Sequence, residues 1–398
     1  MNLLDTYLKG DKVIWLVVIL LSVISILAVY SSSGALAYRF QGGNTEYYLY
    51  KHAFIVVFGL GLMWSFHQIR YKYFSALSQI GLIVSVLLLL LTFFMGANVN
   101  NASRWLVIPG INITFQPSDI AKLSLIMYLA RVMSRSTDKL QDQRWVSLNI
   151  FLPVFGICAL VVRSNFSTAA VLFVISLILL FMGRLSFKYL FQMLGIALTG
   201  VVFIVLLGKA FPDSMPRLKT WEARIESFAK GKSGDMDSEE QYQVEQAKIA
   251  IATGGIVGKG PGNSTQRNFL PQSSSDFIYA IIIEEYGLIG GVIVLFLYLI
   301  LLFRGIRIVI KCNRTFGALL AMGCTFGLIF QGMINMAVAI NLFPVTGQPL
   351  PFLSMGGTSI WFASIAVGII LSVSRQDDAD MVEEAAIGSE GNSELATD

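Results

Sequence analysis

The sequence predicts an all-α integral membrane protein with about ten transmembrane helices and a large extracytoplasmic loop between helices 7 and 8. Hydrophobic residues make up 55% of the 398 residues and charged residues only 14%, whereas soluble domains carry charge on about 25% of their residues. Apolar runs recur at about the length that a helix needs to cross a bilayer, roughly 20 residues. This composition excludes a soluble globular protein, and we expect no nucleic-acid partner.

Ten apolar runs define the predicted spans. The first follows Lys9 and Lys12 and is longer than the apolar part of a signal peptide, so we expect it to remain as an anchor. Pro117 opens the fourth run, a position where proline suits the first turn of a helix. In order, the predicted spans are about 13–34, 52–66, 74–95, 118–133, 148–162, 166–182, 189–208, 277–303, 316–341 and 358–374.

The segments between the spans predict how the chain is oriented. If both termini are cytoplasmic, the short loops on that side hold most of the Lys and Arg residues, as the positive-inside rule requires. The long loop, 209–275, then faces outward together with Asp276 at its end. We therefore expect a multi-pass protein of the cytoplasmic (inner) membrane whose chemistry is on the outer side.

Several connecting segments have their own signals. In 96–117, Pro109-Gly110 marks a turn between two short apolar stretches. In the long loop, 241–257 is predicted to form an amphipathic helix that ends at two adjacent glycines. The tail, 377–398, is acidic without Lys or Arg and predicts a disordered cytoplasmic segment. The expected domain organisation is one transmembrane domain, 1–376, followed by this tail.

Three carboxylates lie where the long loop re-enters the membrane: Asp276 before the eighth span, and Glu284 and Glu285 within it. An ionisable group inside a membrane costs roughly 2.5–3.5 kcal/mol on insertion scales, so a helix that keeps two acids faces a wet cavity or a partner. Asp276 is either an N-cap of the helix or a general base. Glu284, two turns further on the same face, either shapes the field at Asp276 or pairs with a basic residue.

A second group of polar residues lies before and at the start of the fourth span. Asp119 and Lys122 are three residues apart on a helix, a spacing typical of a local ion pair. The alternative is that Lys122, or Arg104 in the preceding segment, binds a phosphate group of a substrate.

Five motifs carry a family resemblance that covers Asp11 to Arg375. The motifs are VYSSS at 29–33, SRWL at 103–106, FQPSDIAKL at 115–123, GGIVGKGPGNSTQRNFLPQSSSDFIYAIIIEEYGLIGG at 254–291 and PVTGQPLPFLSMGGTS at 344–359. Through these motifs the chain resembles the SEDS family of bacterial peptidoglycan glycosyltransferases, and its division-type members more than its elongation-type members.

The resemblance implies polymerisation of lipid II into glycan strands at the outer face of the membrane, with undecaprenyl diphosphate as the leaving group. It gives the role of catalytic base to Asp276 and roles in substrate binding to Gln116, Ser118, Asp119 and Lys122. Asp119 stands where the family usually has Glu. Two other departures are RSNFST at 163–168, which lacks both acids of the family motif, and Met355 in place of a tyrosine.

The resemblance also implies partners and a charge-neutralising group. Arg104, Lys122 or a divalent cation, Mg²⁺ or Mn²⁺, could neutralise the diphosphates, and no organic cofactor is implied. Glu284 and Glu285 remain further candidates for substrate binding. Expected partners are a class B penicillin-binding transpeptidase, other divisome membrane proteins and membrane lipids.

Three alternatives to a division-type polymerase stay open from the sequence. The first is an elongation-type polymerase of the same family. The second is a lipid II flippase or transporter, whose acids would line a translocation path without forming a bond. The third is a scaffold that recruits division proteins, although a scaffold has no need for acids inside a membrane.

Overall fold

A computed structural model describes residues 8–34, 37–38, 42–95, 97–99, 102–108, 113–210, 221, 224, 228, 239–270 and 273–375. The predicted disordered tail, the predicted turn at Pro109-Gly110 and most of the long loop before residue 239 lie outside the described residues.

Each of the ten predicted spans is a helix, and a further helix lies in the long loop. The helices are α1 (Lys12–Ser32), α2 (Thr45–Gln68), α3 (Lys72–Met95), α4 (Pro117–Arg135), α5 (Gln143–Ser164), α6 (Phe166–Met182), α7 (Phe187–Ala210), α8 (Glu239–Gly254), α9 (Ile278–Lys311), α10 (Thr315–Ala339) and α11 (Thr358–Arg375).

Most of these helices are long and apolar enough to cross a membrane. Within the described part of the chain, eight meet that description by length and composition, and α6 is a shorter apolar helix. The exception is α4, which carries Asp119, Lys122, Arg131 and Arg135 on 19 residues and buries much of its surface against other helices. The multi-pass α-helical fold predicted from the sequence is confirmed.

A small antiparallel sheet connects α3 to α4. Its strands are β1 (Ala97–Val99), β2 (Ala102–Ile108) and β3 (Ile113–Phe115), in the order β1-β2-β3. The amino-acid sequence does not predict this sheet, because two of the strands have only three residues and alternation cannot be recognised over so short a length.

The helix predicted at 241–257 is confirmed as α8, with bounds shifted by two or three residues, but it is not strongly amphipathic, because Ile249 is exposed and its buried face consists largely of alanines. Its Ala247 and Ala250 are fully buried in a cluster with Phe277, Ala280 and Ile281. The helix therefore packs directly on the beginning of α9.

Helix α9 is broken at Gly287, whose φ of 69° and ψ of −174° are not helical. This backbone region is essentially restricted to glycine. Beyond the break, the amide of Leu288 donates to the carbonyl of Gly255 at 2.9 Å, and the amide of Ile289 donates to that of Ile256 at 3.3 Å. Two donors that an unbroken helix would use internally are thus satisfied by the long loop.

The carbonyls before the break are satisfied by the same loop. The amide of Lys259 donates to the carbonyl of Glu284 at 3.0 Å, and that of Gly260 donates to the carbonyl of Glu285 at 2.9 Å. We call residues 254–260 the docked segment. Because backbone groups at membrane depth need partners inside the protein, these reciprocal bonds make the break possible.

We predict that Gly287→Ala destabilises the protein. A Cβ at position 287 would collide with the backbone oxygen of Ile256, and the left-handed φ alone costs about 1–3 kcal/mol for an alanine. A lower melting temperature of the purified protein in detergent is the expected result. The matched control is Gly195→Ala, because a Cβ at Gly195 on α7 meets nothing within 4 Å. Equal melting temperatures for the two variants would contradict the break.

Candidate active site

Asp276 lies half-buried in a turn immediately before α9. The N-cap position of α9 is Phe277, and no side chain caps the helix there. The N-cap interpretation of Asp276 is therefore wrong, because the helix begins at Ile278, one residue later than an N-cap at 276 requires. The hydroxyl of Ser275 donates to Oδ1 of Asp276 at 2.9 Å, which orients the carboxylate.

Hydrogen bonds hold the backbone that leads up to and includes Asp276. The carbonyls of three consecutive residues, 274–276, each accept a hydrogen bond from α10 or from the segment after it. These bonds are Met355 N to Ser274 O at 2.8 Å, Ser354 Oγ to Ser275 O at 2.6 Å and Asn335 Nδ2 to Asp276 O at 2.8 Å. The position of Asp276 is thus fixed by its main chain.

Two polar side chains on α10 link Asp276 to the fourth span. Asn335, which is buried, also donates to the carbonyl of Gln348 at 2.8 Å. One helical turn away, Gln331 donates to the carbonyl of Pro349 at 2.9 Å and accepts from Nζ of Lys122 at 3.1 Å. The two groups of candidate residues, separate in the sequence, therefore belong to one hydrogen-bonded network.

Asp119 and Lys122 form the local ion pair that their spacing predicts, with 2.8 Å between Oδ1 and Nζ. Lys122 keeps 20% of its side-chain surface exposed, whereas Asp119 keeps 5%. Oδ2 of Asp119 is buried and has no hydrogen-bond partner among the described residues. Oδ2 of Asp119 therefore remains available for a further partner while Oδ1 is paired with Lys122.

The remaining candidates before α4 are placed less completely. The side chain of Gln116 donates through Nε2 to Oγ of Ser118 at 2.8 Å. The backbone N–H of Gln116 donates to Oγ1 of Thr358, at the start of α11, at 3.4 Å. Arg104 belongs to β2, but its side chain lies outside what the structure describes. Its predicted role as a phosphate ligand stays a prediction.

An apolar cavity of about 60 Å³ adjoins this network. Asp119, Lys122, Gln331 and Ser359 supply its polar groups. Most of the other lining side chains are apolar, among them Leu123, Ile126, Val171, Ile175, Leu328 and Phe362. The cavity is much smaller than the roughly 300–1,000 Å³ of pockets that bury a whole ligand, so it can take only a small part of an amphiphile, next to the ammonium of Lys122.

Glu284 is fully buried and binds the long loop. Its carboxylate pairs with Nζ of Lys259 at 2.6 Å and accepts from the amide of Thr265 at 3.1 Å and from the hydroxyl of Ser264. The predicted alternative, a structural pair with a basic residue, is confirmed. A direct substrate contact for Glu284 stays a prediction.

Glu285 connects the same loop to α1. Its carboxylate accepts from Oγ of Ser31, and Nη1 of Arg267 donates to the carbonyl of Ser31 at 2.9 Å. Glu285 is 1% exposed, so its charge is surrounded by protein. Both adjacent acids are thus held by named partners, as their position inside a membrane helix requires.

The family model described as "Cell cycle protein", FTSW_RODA_SPOVE, matches residues 11–379. The chain belongs to the FtsW/RodA/SpoVE family. This membership confirms the resemblance carried by the sequence motifs.

Individual members of the FtsW/RodA/SpoVE family match along nearly the whole chain. The probable peptidoglycan glycosyltransferase FtsW of Haemophilus influenzae is 33% identical over 384 residues, 94% of this chain and 92% of that protein. Stage V sporulation protein E of Bacillus subtilis is 32% identical over 376 residues, 92% and 97% respectively. A solved chain from a peptidoglycan synthase complex has a TM-score of 0.71 at 24% identity, covering 93% of this chain and 99% of that one, which shows the same fold.

Sequence reasoning missed the residues that join the family motifs to one another. Asn335 and Gln331 lie four residues apart in an otherwise apolar span, and polar side chains inside a span usually face protein partners. That signal was available. The pairing of Lys259 with Glu284 could not be predicted, because nothing in the sequence indicates that the docked segment folds back onto α9.

We predict that Lys259→Met lowers the stability of the protein, because it leaves Glu284 as a buried carboxylate without its counter-charge. Removing one partner of a buried pair costs about 3–5 kcal/mol, and the low end applies because Lys259 is 29% exposed. The double variant Lys259→Met/Glu284→Gln should recover part of the loss in melting temperature.

The matched control is Lys248→Met, on the exposed face of α8. If Lys259→Met and Glu284→Gln left the melting temperature unchanged but abolished activity, Glu284 would belong to the substrate site instead.

Proposed function

We propose that this chain is a peptidoglycan glycosyltransferase of the division type, which polymerises lipid II at the outer face of the cytoplasmic membrane. The names of its curated relatives support the activity and the division type. The main support for the proposal is the position of Asp276. Hydrogen bonds to three consecutive backbone carbonyls, 274–276, fix this residue. It lies beside a hydrogen-bonded network that includes Lys122 and adjoins an apolar cavity.

In the proposed reaction, Asp276 accepts the proton of the 4-hydroxyl group of an acceptor sugar. The hydroxyl oxygen forms a bond to the anomeric carbon of the lipid-linked strand, and the bond from that carbon to the diphosphate oxygen breaks. Undecaprenyl diphosphate leaves with the electron pair, so the configuration inverts. One carboxylate suffices because diphosphate is a good leaving group and needs no acid partner, unlike the paired carboxylates of glycosidases.

Lys122 is the proposed group that neutralises the diphosphate. Its ammonium lies at the polar end of the cavity, held by Asp119 and Gln331, and acts as a point charge toward phosphate oxygens. The apolar wall of the cavity would take only the first carbon atoms of the polyprenyl chain, because the cavity measures about 60 Å³. Arg104 remains a second candidate for the same role.

A divalent cation could bind to Asp119 together with the phosphates of the substrate. The described residues contain no cluster of three or more His, Cys, Asp or Glu side chains that could hold a metal ion alone. Oδ2 of Asp119 lacks a partner among them, and Mg²⁺ is commonly bound by one carboxylate together with substrate phosphates. The cation would supply additional neutralisation of the diphosphate.

The orientation and the partners are part of the proposal. The distribution of Lys and Arg supports cytoplasmic termini and an outward-facing Asp276. The fold shared with a chain from a peptidoglycan synthase complex supports a membrane-bound partner, for which we propose a class B penicillin-binding transpeptidase alongside other divisome proteins.

We predict that Asp276→Asn lowers polymer formation from labelled lipid II by roughly 10²–10⁴-fold, the usual contribution of a general base. The melting temperature should not change, since the backbone bonds remain. The assay is a gel of the products, run with and without the partner transpeptidase. Asp138→Asn, an exposed acid in another loop, is the control.

A polymer ladder from Asp276→Asn equal to that of the wild type would refute the role of Asp276. Absence of any ladder from the wild type, with and without the partner, would favour the flippase or the scaffold.

We also predict that Gly327→Leu lowers polymer formation by at least about tenfold, because the new side chain fills the apolar cavity that would hold the lipid. A Cβ at Gly327 makes only ordinary contacts with Ile126 and Ile175, and the melting temperature of the variant shows whether the fold accommodates the rest of the leucine side chain. The control, Gly156→Leu, adds the same side chain at an exposed position on α5. Full activity of Gly327→Leu with an unchanged melting temperature would show that lipid does not enter this cavity.

A further inference from the structure

A second cavity lies at the end of the helix bundle opposite to Asp276. Thr315 begins α10, and Asn335, which binds the backbone of Asp276, lies 20 residues further along the same helix, a distance of about 30 Å. The cavity at the Thr315 end measures about 380 Å³. It therefore lies near the other membrane face, remote from the proposed chemistry.

The charged groups around this cavity are all positive. Lys72, Arg135 and Arg314 line it from the start of α3, the end of α4 and the start of α10, and none of the lining residues is acidic. Arg131, one turn before Arg135, donates to the backbone carbonyl of Ser75 in its wall. Three cations that converge from three helices without a carboxylate among them favour an anion.

Neutral donors accompany these cations. Ser75 and Thr315 place hydroxyl-bearing side chains in the wall, whereas the hydroxyl of Ser134, also in the wall, donates to the carbonyl of Arg131 at 2.9 Å. The N-cap residue of α10 is Arg314, and it makes no side-chain cap hydrogen bond. The first amides of that helix, together with its dipole, therefore add to the attraction for an anion.

One buried group in the wall independently indicates a ligand. Ser75 is 5% exposed, and its hydroxyl has no hydrogen-bond partner within the described part of the chain. Its carbonyl, in contrast, accepts bonds from both Arg131 and Ser78. Buried hydroxyl groups are normally hydrogen-bonded, so this donor points to a bound acceptor.

We propose that this cavity is a binding site for a phosphate group, occupied by the headgroup of an anionic membrane phospholipid. Lys72, Arg135 and Arg314 provide the charge, and Ser75 provides a hydrogen bond to a phosphate oxygen. The rings of Tyr71 and Phe316, whose centroids are 6.3 Å apart, form an aromatic wall beside it, as side chains at a membrane surface commonly do. The lipid would tie α3, α4 and α10 together at this face.

The test uses the full-length protein in detergent, mixed with phosphatidylglycerol or with phosphatidylcholine of the same acyl chains. Native mass spectrometry measures which lipid is retained. We expect phosphatidylglycerol to be retained at least about tenfold more, and Arg135→Gln/Arg314→Gln to remove that preference, because charge-assisted bonds to phosphate are lost. The control, Lys139→Gln/Arg144→Gln, removes two exposed cations outside the cavity and should keep the preference.

Two further measurements test the role of Ser75 and distinguish a bound lipid from a bound soluble phosphate. Ser75→Ala, which leaves every charge in place, should weaken retention of phosphatidylglycerol, and melting temperatures without lipid establish that each variant is folded. A parallel measurement replaces the lipid with inorganic phosphate at constant ionic strength. Stabilisation by phosphate, without lipid selectivity and lost in Arg135→Gln/Arg314→Gln, would assign the same site to a soluble phosphate. Equal retention of both lipids with no effect of phosphate, or a loss shared by the control, would overturn the proposal.

Discussion

The break of α9 at Gly287 is the constraint on which the site depends. Inside a membrane, a backbone amide or carbonyl without a partner costs several kcal/mol, so a helix cannot be interrupted unless protein supplies the missing bonds. Here the docked segment supplies four of them, two to the amides after Gly287 and two from its own amides to the carbonyls before it. The break and the loop are therefore one structural unit, and neither can exist alone.

This unit explains why two adjacent acids are tolerated within a membrane helix. Glu284 binds Lys259 and the chain around Thr265, while Glu285 binds Ser31 of α1. Glu284 holds the loop directly, and Glu285, which also accepts from the amides of Gly262 and Ser264, holds it against α1, so the loop returns to the membrane at a defined position. The last bonds in that path are those to the carbonyls of residues 274–276, and they bring Asp276 next to the network that reaches Lys122.

Much of the fold and part of the site could be predicted from the sequence. Hydropathy located all ten spans, because length and apolarity are local properties, and it located even α4 with its polar face. The break at Gly287 could not be predicted, since a glycine in an apolar helix usually remains helical and the bonds that replace the helical ones come from residues about 30 positions earlier. The N-cap interpretation of Asp276 failed because the first residue of a helix cannot be located from the sequence to within one residue, and a one-residue difference changes the capping residue.

Hydrogen–deuterium exchange at the amides of Lys259, Gly260, Leu288 and Ile289 tests the central claim most directly, because these four groups bridge the docked segment and the broken helix. If the loop is docked, all four amides exchange orders of magnitude more slowly than unbonded amides, and the loop amides are as well protected as those of the helix. Fast exchange at Lys259 and Gly260, with Leu288 and Ile289 still protected, would mean that the loop is not docked and that Asp276 is positioned in some other way.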